Sequence, residues 1–247
     1  MRPDAWMLMK PNKKKYKMKK HLIIFLLFSF LAAATTVAQQ KPFVFGFQAG
    51  PNIGWMKPDA AGYSSDGVKI GFSWGFIADF YLMENYGITS GFDVIFLNGG
   101  IRMPHHKVNA PDTISGILNR KYRLKYIQIP LTLRMRTKEL GPFRIYGKIG
   151  LGSSFLIGAK ADDEFIPPTG EPLKEEVDIY DDITFMRESL ILGAGVEFLL
   201  GGSTSIIAGL VFNNGFMDIL KGQNNTDPTI NNKAFANFLA FNVGIVF

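Results

Sequence analysis

Residues 235–247 read Phe-Ala-Asn-Phe-Leu-Ala-Phe-Asn-Val-Gly-Ile-Val-Phe, and their side chains sort by parity. Phe235, Leu239, Phe241, Val243, Ile245 and Phe247 share the odd face, where Asn237 is the only polar member. The even face carries Ala236, Phe238, Ala240, Asn242, Gly244 and Val246 and is mostly small. A period of two belongs to extended backbone, whose successive side chains point to opposite sides. A broad apolar face backed by a small or polar one suits a strand standing between lipid and a narrow lumen.

Working back from the C-terminus, the pattern recurs. Over 143–157, Phe143, Ile145, Ile149, Leu151, Phe155 and Ile157 oppose Arg144, Tyr146, Lys148, Gly150, Gly152 and Ser154. A half-buried soluble strand would alternate in the same way. Repeated long apolar faces whose reverse sides mix Gly with charge favour a barrel wall. Phe43, Phe45, Phe47, Ala49, Ile53 and Trp55 form such a face, as do Ile70, Phe72, Trp74, Phe76, Ala78, Phe80 and Leu82, with Asp79 inward. Ile88, Phe92, Val94 and Phe96 follow, with Asp93 inward. The fourth run changes phase, from Tyr122, Leu124 and Tyr126 to Ile127, Ile129, Leu131, Leu133 and Met135, which predicts a β-bulge near Tyr126. Pro130 in the same run needs a position without a ladder donor. Residues 183–200 place Met186, Leu190, Leu192, Val196 and Phe198 outward, and 203–215 form the weakest run.

The connections between these eight runs are 56–67, 83–86, 100–119, 137–142, 160–182, 201–202 and 216–234. Long and short alternate throughout. That is the layout of an even-stranded outer-membrane barrel with short periplasmic turns and long outer loops. The predicted fold is therefore all-β: an eight-stranded antiparallel transmembrane β-barrel over 39–247, preceded by a cleavable signal peptide over 1–38. Met18-Lys19-Lys20-His21 reads as a basic n-region, Leu22 to Ala34 as an apolar run, and Thr36-Val37-Ala38 as the approach to a cut before Gln39. Residues 1–17 are unusual for a signal, so Met18 is the expected start of translation, with Met1 the alternative left open. Past this leader no stretch reaches about 18 consecutive apolar residues, so any crossing must be made by strands closed on themselves.

Charge distribution removes one class of partner. The chain has 27 Lys and Arg against 21 Asp and Glu, but residues 1–38 hold eight of the bases and one of the acids. The remainder, 19 bases against 20 acids, is balanced, and a nucleic-acid partner loses its support. The absence of Cys excludes disulfides, thiolate metal sites and thiol catalysis. Loop 160–182 contains nine acids and two lysines and reads as a solvated, mobile segment, with divalent contact to lipopolysaccharide left open.

The stretch Tyr122-Arg-Leu-Lys-Tyr126-Ile-Gln-Ile-Pro130-Leu-Thr-Leu-Arg134 resembles the fourth-strand signature of PorT-like outer-membrane barrel proteins of Bacteroidetes. Phe45-Gly46-Phe47-Gln48-Ala49-Gly50-Pro51-Asn52, the Gly147-Lys-Ile-Gly150-Leu-Gly152 strand and a terminal Phe247 extend the likeness over roughly 41–247. The resemblance implies a porin-like barrel domain, insertion by the barrel-assembly machinery, and a role alongside type IX secretion for the family's namesake. It implies no catalytic or cofactor-binding residues.

No catalytic motif, metal site or cofactor site is legible. His105 and His106 diverge on extended backbone with no nearby carboxylate and read as solvated loop residues. The charges predicted inside are Asp79, Asp93, Arg134, Arg136, Arg144, Lys148, Arg187 and Glu197. In an interior just wide enough for side chains they are expected to pair as a plug. Three functions compete: a non-catalytic barrel, structural or accessory to envelope assembly or secretion; a narrow pore or ligand-binding barrel; and an outer-membrane enzyme. The expected partners are outer-membrane lipid and lipopolysaccharide, the barrel-assembly machinery and components of a secretion system. No cofactor is expected.

Overall fold

The computed structural model describes residues 43–109 and 112–247, so the leader expected over 1–38 lies outside the described residues. The strands are β1 (Phe43–Pro58), β2 (Ser64–Met83), β3 (Tyr86–Asn109), β4 (Asp112–Arg136), β5 (Phe143–Ile166), β6 (Leu173–Asp178), β7 (Met186–Gly201), β8 (Thr204–Gly215) and β9 (Ala234–Val246). All but β6 form one antiparallel ring, which β9 closes against β1 from Gly46↔Val246 to Pro58↔Ala234. Closure leaves no open edge in the ring, as a bilayer requires.

The alternation read from the sequence sets which side faces lipid. Phe47, Phe241, Leu131 and Ile149 are exposed, whereas Gln48, Ala240, Thr132 and Asn52 are buried. On β4 the lipid-facing apolar row runs from Ile127 to Met135 and stops at Lys125. Nine residues at roughly 3.3 Å each, tilted by about 40°, span about 23 Å, close to the roughly 25 Å expected of such a band. Aromatic pairs mark its margins. Phe43–Phe80 (4.9 Å) and Phe45–Phe247 (5.8 Å) lie at the periplasmic end, and Trp55–Phe212 (6.1 Å) lies toward the outer one. Asn237, the odd polar residue of β9, is buried between the strands carrying that last pair, and its Oδ1 accepts the Gly215 amide at 2.9 Å.

Two expectations are corrected. Of the four long outer connections, all but 216–234 are largely strand. β3 and β4 run on as a hairpin through most of 100–119, and 160–178 folds back as β5–β6. The charges that mimic a loop form cross-strand pairs: Arg123 with Asp162 (3.0 Å) and Glu176 (2.5 Å), Lys160 with Glu176 (2.7 Å), and Lys174 with Glu164 (3.0 Å).

The phase change is on the neighbouring strand. Even positions of β4 stay inside from Tyr122 to Arg134, and Tyr122, Leu124 and Tyr126 are apolar because the outer half of the lumen is apolar. The bulge lies in β5, where Lys125↔Gly158 is followed by Tyr126↔Leu156 and Ile157 is left unopposed. Pro130 does find its gap. The β3–β4 pairing is interrupted between Thr89↔Thr132 and Asp93↔Gln128, where Gly91 takes a φ of 133°.

Candidate functional site

The interior is filled in layers. At the periplasmic end the Arg134 guanidinium donates to Asp79 (2.7 Å) and to Glu197 (3.4 Å) and lies over the Tyr146 ring at 4.1 Å. The Thr89 hydroxyl donates to the other Asp79 oxygen. Arg144 bridges Glu197 (3.6 Å) and Glu139 (2.5 Å). Arg136 sits at the rim, where its Nε donates to the Glu84 carbonyl at 3.0 Å and its guanidinium lies 3.7 Å from the Tyr81 ring centre. Asp79, Arg134, Arg144 and Glu197 thus form one network.

Mid-barrel, Gln48 donates to Asp93 at 2.8 Å, and Asp93 and Lys148 line a common cavity of about 30 Å³, room for a few waters at most. Arg187 stands apart. Buried to 1% exposure, it donates to the Ala236 carbonyl (2.7 and 3.2 Å) and to Asn213 (2.6 Å). Asn213 in turn donates to Gln128 (3.3 Å), which donates to Ser154 (2.8 Å) and Ser189 (3.3 Å). Above this belt the lumen is apolar: Leu97, Ile101, Leu124, Leu156 and Phe238 pack with Ile183 and Ile219 from the outer connections.

Beyond that plug the outer mouth holds a cavity of about 240 Å³ that pattern reading missed. Arg120 projects into it from β4, with Nε and Nη2 each 2.7 Å from Asp163 and Nη1 3.9 Å from Asp182. The segment 216–233 walls it. Tyr63 donates to Asn232 (2.5 Å) and accepts from Asn224 (2.8 Å), while Asn225 holds the backbone of His106 from both sides (3.1 and 2.8 Å). His105 turns inward beside Phe165, its Nε2 3.3 Å from the Asn225 amide nitrogen. Burial, helped by the nearby Arg120 charge, pushes the His105 pKa down, so the imidazole stays neutral. Pattern reading missed both: His105 fell within 100–119, read as loop, and Arg120 shares the even face of Tyr122, Leu124 and Tyr126, which their apolar character assigned to lipid. Among the described residues no group of three His, Cys, Asp or Glu side chains could hold a metal ion.

Comparison with known proteins agrees with this architecture. No curated protein matches the sequence. Among solved structures, the chain is similar to Neisserial surface protein A (13% identity, 83% of this chain and 96% of that one, TM-score 0.40). It is also similar to the attachment invasion locus protein Ail of Yersinia pestis (13%, 84% and 100%, TM-score 0.38) and to OprG of Pseudomonas aeruginosa (9%, 83% and 97%, TM-score 0.43). The model of the outer membrane protein beta-barrel domain family matches residues 37–221, three-quarters of the sequence. The chain belongs to the outer membrane protein β-barrel domain family and is a protein of the outer membrane.

Proposed function

We propose that the protein is a closed, non-catalytic barrel whose outer hairpins are its working surface, structural or accessory to envelope assembly or protein secretion. The observation that carries this reading is the filled lumen. The Asp79–Arg134–Glu197–Arg144 network, the Gln128 belt and the Leu97–Leu124–Phe238 layer leave a mid-barrel cavity of about 30 Å³. That is room for a few waters at most, less than a hydrated ion with its full shell needs.

The non-catalytic part rests on how the mouth's reactive groups are engaged. Asp163 is held bidentately by Arg120, and the His105 Nε2 faces an amide, so neither is paired with a nucleophile. A secretion role of the type IX kind, and placement among the PorT-like proteins, rest on the resemblance in 122–134. Lipid, lipopolysaccharide and the barrel-assembly machinery, which would read Phe247, are the proposed envelope partners.

Planar-bilayer recording tests closure. The purified chain is expected to insert without stepwise conductance, and steady ohmic steps would favour a narrow pore. A deletion strain compared with its parent by surface and secreted proteomics tests the accessory role. Loss of a defined set of exported proteins is expected, and an unchanged surface would reject it.

A further inference from the structure

The cavity at the outer mouth is walled by groups of two kinds. Asn224, Asn225 and Asn232 spend their hydrogen bonds on Tyr63, Pro104, His106 and neighbouring backbone, which ties 216–233 to the β1–β2 connection and to the top of β3. The Asp182 carbonyl takes the Lys221 amide at 2.8 Å, closing the wall on the β7 side. The shape is thus set before any ligand arrives, which lowers the ordering cost of binding.

The remaining groups face the space. Arg120 presents Nη1 toward Asp182, whose carboxylate oxygen stands 3.9 Å away. Asp182 is itself mostly exposed, and Gln223 lines the cavity with an amide that makes no hydrogen bond among the described residues. If the Asn225 amide donates to His105 Nε2, the neutral ring carries its hydrogen on Nδ1 and offers one more donor. Met103, Leu118 and Leu220 supply apolar floor.

The wall carries Arg120, Lys221 and Asp182, and Asp163, buried behind it, already neutralises Arg120. A phosphate or free carboxylate would meet Asp182 and an arginine whose charge is already paired, and an ammonium would meet Lys221 and Arg120. A neutral ring with several hydroxyls and one apolar face would use donors, acceptors and floor together. The volume falls below the range of about 300–1,000 Å³ usual for drug-sized ligands, so one ring fits and a chain does not. We propose that the outer mouth of this barrel, between Arg120, Asp182, Gln223 and the Met103–Leu118–Leu220 floor, binds one neutral sugar ring at the end of a glycan.

The proposal rests on the outer hairpins facing the cell exterior. It is independent of whether the lumen conducts, so its failure would leave the closed barrel intact. The test is saturation-transfer NMR on the full mature chain refolded in an amine-oxide detergent, since maltoside detergents carry sugar themselves. The probes are methyl glycosides of glucose, galactose, mannose and N-acetylglucosamine, with inorganic phosphate and glycine as charged counterparts. Transfer to at least one glycoside is expected, with affinity at least tenfold weaker in Asp182→Asn and in Gln223→Ala. Gln223→Trp, which fills the space, should abolish it. Each variant must first show the wild-type shift of its unheated band on gels. No transfer to any glycoside, equal transfer in the three variants, or preference for phosphate or glycine would overturn the proposal.

Discussion

The two halves of the lumen solve the same packing problem with opposite chemistry. Toward the periplasm the inward residues are charged and must find each other: Arg134 serves both Asp79 and Glu197, and Arg144 takes the remaining Glu197 oxygen. Toward the outside they are Leu97, Ile101, Leu124 and Leu156, which need only fill volume. An ion-pair layer specifies position but breaks badly when one member is lost. An apolar layer degrades by the size of the hole. The difference shows that a lumen-facing position in this chain carries no fixed polarity, and that height in the barrel decides it.

The sharpest way to break the contrast is Arg134→Met. It leaves buried Asp79 without its cation and Glu197 with only the 3.6 Å contact to Arg144, and should cost about 3–5 kcal/mol. The readout is the urea midpoint of the folded band in lipid vesicles. Adding Asp79→Asn and Glu197→Gln should recover most of the loss. If the single change is silent, the network is not structural.

Leu97→Ala probes the other half. Leu97 is fully buried, so the truncation should cost about 2–5 kcal/mol in the same assay, with no rescue by distant charge changes. On the outer wall, Phe241→Arg should cost about 2–4 kcal/mol if Phe241 lies near the bilayer midplane, whereas Ala240→Ser should be mild. Reversal of that order would turn the wall inside out.

Much of this was legible beforehand, and the failures have one cause. Parity placed Phe47 against Gln48 and Phe241 against Ala240, because lipid outside is uniform and rewards every apolar side chain. It failed at Tyr122, Leu124 and Tyr126, whose apolar character was taken as a change of face. The true flip, at Ile157, has no polarity signature, since Leu156 and Ile157 are both apolar and only partner strands distinguish them. The hairpins at 160–178 were missed because Glu and Lys mean solvent in a list and cross-strand pairs in a sheet. The mouth cavity was beyond reach: it gathers Tyr63, His105, Arg120, Asp182 and Gln223 from separate connections.

The smallest effect belongs to that hairpin. Hydrogen bonds from Lys160 and then Arg123 lower the Glu176 pKa to about 2, against an ordinary value of about 4.3. A carboxylate whose folded value is depressed stabilises fully above its unfolded value and loses that contribution as pH falls through the folded one. Protection factors at 173–178, taken relative to the intrinsic exchange rate at each pH, should therefore fall between about pH 5 and pH 2. Glu176→Gln should flatten this response while leaving the global urea midpoint where it was. An identical pH response in the variant would assign the effect elsewhere.

Closure of the lumen is the central claim, and the natural absence of cysteine allows it to be tested position by position. Ala240→Cys and Ser154→Cys place a thiol in the packed interior, and Gln223→Cys places one at the outer mouth. Each is exposed in folded vesicles to a charged, membrane-impermeant maleimide, with urea-unfolded protein as the control. The account predicts rapid labelling at 223 and none at 154 or 240 until the barrel unfolds. Labelling at 154 or 240 as fast as at 223, with the folded band intact, would contradict it.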